Sequence, residues 1–409
     1  MKRKNIIVGQ SGGPTAAVNA TLAGVIEAAL ECDGIDKVYG MRHGIEGLLR
    51  GDIINLGEEF CDRSNLSLLA QTPSAALGSC RRKLPEPDTE QSVYAEIFDF
   101  FARYDIDCFM YIGGNDSMDT VKKLTEYSEK KGIHDISFIG VPKTIDNDLA
   151  GTDHTPGYGS AAKYIACACA EIACDCAVYT VPAVTVVEIM GRDAGWLTAA
   201  AALAENITGH GVDFIYLPER PFSDERLFAD IESAFKTHPN VVIAVSEGVR
   251  YADGGYVGAS GQSGVKDVFG HEYLSGTGKT LEYKIKEHFG CKVRSVEINI
   301  LQRCAAHMLS RTDISESLQT GRFAVESALA GQTGVMVCAD RHEGEYSVSF
   351  SCRRIEDIAN AVRSVPDGYI NATSNGVTEE CIEYMKPLIS GEFPVIYVNG
   401  LPAHFVFNK

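Results

Sequence analysis

Five short apolar runs, each breaking at a loop that carries glycine or charge, decide what this chain can fold into. They lie at 5–9, 108–112, 136–141, 184–189 and 241–245. The first leads into Gly12-Gly13-Pro14 and an alanine-rich helical stretch at 15–30. The second leads into Gly113-Gly114 and a helical stretch at 119–130, the fourth into Met190-Gly191-Arg192 and one at 196–204. Strands that are apolar throughout and alternate with helices belong to parallel sheets covered on both faces. In such sheets ligands bind beyond the carboxyl ends of the strands, where these glycines and charges stand. A chain of 409 residues exceeds one ordinary core and predicts two α/β domains. The glycine-rich stretch 251–275 lacks long apolar runs and reads as a mobile surface excursion.

Composition narrows the function. A formal net charge of −18 argues against nucleic-acid and anionic-membrane partners, because both repel an acidic surface. It leaves room for a phosphorylated small molecule, which a few arginines in one cleft can bind. No run approaches the ~18 apolar residues of a membrane span. The apolar run after the basic start is too short for a signal peptide. Thirteen cysteines, an odd number, fit reduced thiols and a cytoplasmic location. Cys167, Cys169, Cys174 and Cys176 fall in a helical stretch, where residues two apart diverge instead of converging on one metal.

Three loops carry candidate chemistry. Gly12 and Gly13 let backbone N–H groups approach a phosphate, although a plain tight turn has the same composition. Neither the dinucleotide fingerprint nor the P-loop is present. In Gly113-Gly114-Asn115-Asp116-Ser117, an amide and a carboxylate can hold Mg²⁺ or polarise phosphate-bound water, or they can cap the following helix. Pro142-Lys143-Thr144-Ile145-Asp146-Asn147-Asp148 joins two carboxylates to a lysine and a hydroxyl. A carboxylate there can take a proton from an attacking hydroxyl, and an ammonium can stabilise a phosphoryl group in transfer. A merely solvated loop is the alternative, and its position directly after a buried strand argues against it.

Gly-Gly-x-x-Ser, then Pro-x-Thr-Ile-Asp-Asn-Asp, then Val-Val-Glu-Ile-Met-Gly-Arg resembles the motif series of the phosphofructokinase family, in the family's order. The resemblance runs from the first strand to about Ala330 and is loose beyond it. It implies an α/β fold of two Rossmann-like parallel-sheet domains with the active site in the cleft between them. The phosphoryl-donor domain would span 1–141, completed by part of 304–409, and the sugar-phosphate domain 142–303. Residues 304–409 would return to both. The resemblance further implies that Asp146 is the general base for the 1-hydroxyl of fructose 6-phosphate, flanked by Thr144, Ile145 and Asp148. Met190, Gly191, Arg192 and Glu219 would line the sugar pocket, and Arg294 and Arg303 would grip the 6-phosphate with paired hydrogen bonds. Gly12, Gly13, Arg81, Gly114 and Ser117 would meet the donor, and Asn115 and Asp116 would hold Mg²⁺. A homodimer or homotetramer is implied as well.

Two positions bear on the donor. Members that use ATP usually have glycine where Asp116 stands and a small residue where Lys143 stands. A carboxylate at 116 fills the room a third phosphate needs and repels it. An ammonium at 143 offsets charge on pyrophosphate and on the leaving phosphate. The reading is therefore pyrophosphate as donor, with Asp146, Lys143 and Asp116 as the catalytic set. ATP as donor and sedoheptulose 7-phosphate as a second substrate remain alternatives. A non-catalytic sugar-phosphate-binding subunit would need neither Asp146 nor Lys143. The chain departs from the family's pattern at Asn115, where an aspartate is usual, and at Ile300, where a histidine or tyrosine is usual. It also departs at Ala183, where bacterial ATP users place an intersubunit arginine, and at His43-Gly44-Ile45, where Asp-Gly-Tyr is usual.

Overall fold

The computed structural model describes residues 3–258 and 276–407, so most of the 251–275 excursion lies outside the described residues. Two sheets organise the chain. The larger contains β1 (Lys4–Gln10), β2 (Ile35–Met41), β3 (Ile53–Asn55), β4 (Ile106–Gly113) and β5 (Ser137–Pro142). The smaller contains β6 (Ala183–Ile189), β7 (Phe214–Tyr216), β8 (Asn240–Ser246) and β9 (Lys292–Glu297). The chain then returns to the larger sheet with β10 (Val335–Arg341) and β11 (Val348–Arg354). The larger sheet runs β11-β10-β5-β4-β1-β2-β3 and the smaller β7-β8-β6-β9. The smaller is parallel throughout, and the larger is parallel except at its two edges, β3 and β11.

The apolar runs of the sequence are the central strands, and their period of two feeds separate cores. Ile6 and Val8 join Cys108, Met110 and Ile112 on one face of the larger sheet. Ile7, Phe109 and Tyr111 enter the core on the other face. Such double burial explains why these strands read as continuous apolar runs. The edge strands β9 (KVRSVE) and β11 (VSFSCRR) each have a solvated side and carry no such signal. All thirteen cysteines are free thiols, and among the described residues no three His, Cys, Asp or Glu side chains gather as a metal site would need. Among the described residues no helix is long and apolar enough to cross a membrane.

The helix Val18–Glu31, which follows β1, lies against the helix Arg311–Leu329. Their backbones meet at two glycines. A Cβ on Gly24 would stand 2.0 Å from the carbonyl oxygen of Leu318, and one on Gly321 would stand 2.1 Å from that of Thr21. The contact fastens the chain after β1 to the segment that precedes β10. Gly24→Ala is expected to lower unfolding stability by about 1–3 kcal/mol through overpacking, read from the denaturant midpoint at unchanged slope.

Candidate active site

The carboxyl ends of β1, β4, β5, β6 and β8 open onto one cleft of about 460 Å³. Gly12 and Gly13 enter from β1, residues 114–117 from β4, and Lys143, Thr144, Ile145, Asp146 and Asp148 from β5. Met190 and Arg192 follow β6, Glu247 follows β8, Arg81 reaches in from a loop and Arg303 from the end of the 3-10 helix Asn299–Arg303. The cleft thus takes residues from strand ends of both sheets.

Lys143 ties the first and third loops together. Its ammonium is buried and donates to the carbonyl of Gly13, while its own N–H donates to Gly113 O at 3.0 Å. Burial lowers its pKa to about 8, with the charges of Arg303 and Arg81 adding to the effect and Asp146 opposing it. The Asp146 N–H donates to Thr144 Oγ1 at 3.1 Å, and that hydroxyl reaches Asp146 Oδ2 at 3.5 Å. Burial raises the Asp146 pKa and Lys143 opposes the rise, which brings a carboxylate base closer to neutrality.

The second loop does not cap its helix. The helix Asn115–Lys131 begins after Gly114 with no side-chain cap, and the Oδ1 of Asn115 and Oγ of Ser117 are buried without partners. Gly113 permits this tight entry, since a Cβ there would sit 1.9 Å from Ser117 Oγ. Asp116 pairs with Lys83 at 3.0 Å. Its charge is therefore partly offset. The oxygens of Asn115, Asp116 and Ser117 suit Mg²⁺, which keeps several waters and takes one or two carboxylates plus substrate phosphate oxygens.

Of the residues singled out in the sequence, three do not line this cleft. Gly191 lies behind it, donating its N–H to Glu247 Oε1 at 3.3 Å and accepting from the Ser246 hydroxyl. Glu219 sits beyond Ala194, its Oε1 accepting from Gly195 and Val365 N–H groups at 2.9 Å while its Oε2 is buried without a partner. Arg294 is exposed on β9, the outer strand of the smaller sheet, 3.8 Å from Asp175. Strand direction explains Arg294: it lies inside β9, whereas the cleft gathers strand ends. Seven lining residues escaped the sequence reading as site residues: Pro14, Lys83, Asp193, Ala194, Glu247, Asn360 and Val362. Glu247, directly after β8, obeys the strand-end rule and was legible on that ground. Asn360 and Val362 belong to no motif.

The motif series and the cleft accord with the comparisons. A profile of the family described as Phosphofructokinase matches residues 5–328. The chain belongs to the phosphofructokinase family. It is 40% identical over 408 residues to a pyrophosphate–fructose 6-phosphate 1-phosphotransferase of Halomonas elongata, covering 98% of this chain and 96% of that protein. The protein of the same name from Methylococcus capsulatus is 38% identical, with 99% and 96% covered. A crystal structure of a pyrophosphate-dependent phosphofructokinase from Nitrosospira multiformis superposes with a TM-score of 0.89 at 36% identity, covering 98% of this chain and 96% of that one. These matches extend beyond residue 328, so the C-terminal segment is shared with other members of the phosphofructokinase family.

Two further carboxyls in this family member's cleft are held out of their usual range. Asp148 is raised to about 7 by burial and by Asp146, and Glu247 to about 7 chiefly by burial. A raised carboxyl favours the folded state while it is protonated, and that contribution is lost as pH rises from about 4 through about 7. Asp148→Asn is therefore expected to raise the thermal midpoint at pH 8, by about 1 kcal/mol or more in stability. The difference from wild type should close as pH falls through 7 towards 4, followed by thermal scans across that range.

Proposed function

We propose that this chain transfers a phosphoryl group reversibly between pyrophosphate and the 1-hydroxyl of fructose 6-phosphate. The products are fructose 1,6-bisphosphate and phosphate. The observation that carries the reading is that Asp116 and Lys143 flank the glycine loops of the same cleft that holds Asp146. The names of the relatives that match nearly the whole chain support it.

The 1-hydroxyl oxygen attacks one phosphorus of pyrophosphate in line, the bridging P–O bond breaks, and Asp146 accepts the hydroxyl proton. Lys143, with the N–H groups of Gly13 and Gly114, stabilises charge on the moving phosphoryl group and on the departing phosphate. A lysine with a pKa of about 8 is still largely cationic at neutral pH, and it is already desolvated before substrate arrives. Mg²⁺, held by Asn115 and Asp116 together with phosphate oxygens, would supply further charge neutralisation. Arg303 and Arg192 face the sugar side, where guanidinium forks suit a phosphate. The unpartnered Oε2 of Glu219 lies against Gly195, buried just outside the cleft lining, and is the acceptor this reading assigns to a sugar hydroxyl. A homodimer or homotetramer belongs to the same reading. It is supported by exposed Ile300 and Leu301, near Arg294 on the outer strand β9.

The decisive measurement is turnover with fructose 6-phosphate and either pyrophosphate or ATP, side by side. Pyrophosphate is expected to support turnover and ATP to support little. Brisk ATP turnover without pyrophosphate activity would overturn the donor assignment. Asp146→Ala is expected to cut kcat by about 10²–10⁴-fold with sugar-phosphate binding retained. Asp116→Gly combined with Lys143→Gly should move the preference towards ATP.

A further inference from the structure

The segment that follows the family match supplies a brace for the loop carrying Asp146. Asn147, the next residue, holds a left-handed backbone conformation with φ of 53°. Asparagine tolerates that conformation better than most residues, but it persists only where surroundings hold it. Here both ends of its amide are engaged. Oδ1 accepts from the Thr155 N–H at 3.1 Å, and Nδ2 donates to the Tyr384 hydroxyl at 3.1 Å. The Tyr384 hydroxyl in turn donates to the carbonyl of Asp153 at 2.7 Å, so one buried oxygen pins both limbs of the loop.

Arg363 completes the brace. Its backbone N–H donates to Asp148 O at 2.8 Å, and its guanidinium approaches the Tyr384 hydroxyl at 3.4 Å. It lies 4.4 Å over the ring of Trp196, whose Nε1 donates to Arg363 O at 3.0 Å. Tyr384 sits on the helix Glu379–Met385, whose Cys381 and Met385 are locked into the core of the smaller sheet's domain. Neither Tyr384 nor Arg363 lines the cleft. We infer that Tyr384 is a positioning residue: acting through Asn147, it aims the Asp146 carboxylate at the substrate hydroxyl. Removing its hydroxyl leaves the Asn147 amide hydrogen and the Asp153 carbonyl unpaired in a buried place, and the strained turn loses a support. Small displacements of a reacting group carry large rate penalties.

The consequence for rate rests on the proposed reaction, but the brace itself can be read without it. Hydrogen–deuterium exchange of the substrate-free full chain compares wild type with Tyr384→Phe over 144–155 and over β4. Exchange of 144–155 is expected to accelerate at least about tenfold while β4 is unchanged, since the loss is local. Steady-state kinetics with pyrophosphate and fructose 6-phosphate should show kcat down about ten- to a hundredfold with both KM values unmoved. Unchanged loop exchange overturns the inference. So does equal acceleration in β4, which would make Tyr384 a general stabiliser, and so does faster loop exchange with wild-type kcat. If wild type itself does not turn over these substrates, the functional reading fails, and the exchange result still decides whether the brace exists.

Discussion

The cleft depends on a buried positive charge. Lys143 stands at the end of β5 with its ammonium against the Gly13 carbonyl and its backbone bonded to Gly113. One residue thereby fixes the relative positions of three strand-end loops. An ammonium taken out of water costs several kcal/mol unless it is paired, and the nearby carboxylates of Asp146 and Asp148 supply part of that pairing. Arg303 and Arg81 crowd the lysine and favour its neutral form, while burial holds the Asp146 and Asp148 carboxyls above their usual range. The site therefore holds charges in an environment that makes each uncomfortable. That condition moves pKa values towards neutrality, a pattern that clusters at functional sites.

Orphaned polar atoms mark the same place. Eight buried side-chain atoms among the described residues lack a partner, and three of them belong to the lining residues Asn115, Ser117 and Arg192. Folded chains pair almost all such groups. Their concentration around one cleft is what a site built to be completed by a polar ligand looks like. Asp116 qualifies the electrostatic argument made from sequence. Its pairing with Lys83 leaves less of its charge free to repel a longer polyphosphate than the sequence alone suggested.

How much was legible follows from how each signal arises. β1, β4, β5, β6 and β8 were readable because both faces of each are buried, so the chain itself had to be apolar there. β9 and β11 were not, because an edge strand needs only half the burial. The loops after β1, β4 and β5 announced themselves by glycine and charge in tight spacing. The family resemblance grouped Arg294 with Arg303, yet a strand interior and the end of a 3-10 helix nine residues later face different ways. Asn360, Val362, Arg363 and Tyr384 carried no local signal at all. Their roles come from where a distant segment crosses the catalytic loop.

By itself, the sequence determined the parallel α/β architecture, the glycine and carboxylate loops at the strand ends, and the family. Each is written in local pattern, because burial periodicity and turn chemistry act between near neighbours. Only the tertiary structure decided which of the charged residues share one desolvated space. It also decided that Arg294 stays outside the cleft of a single chain, and that Tyr384 reaches back to Asn147. Those outcomes depend on contacts between residues hundreds of positions apart, and such contacts leave no trace in the spacing of either partner.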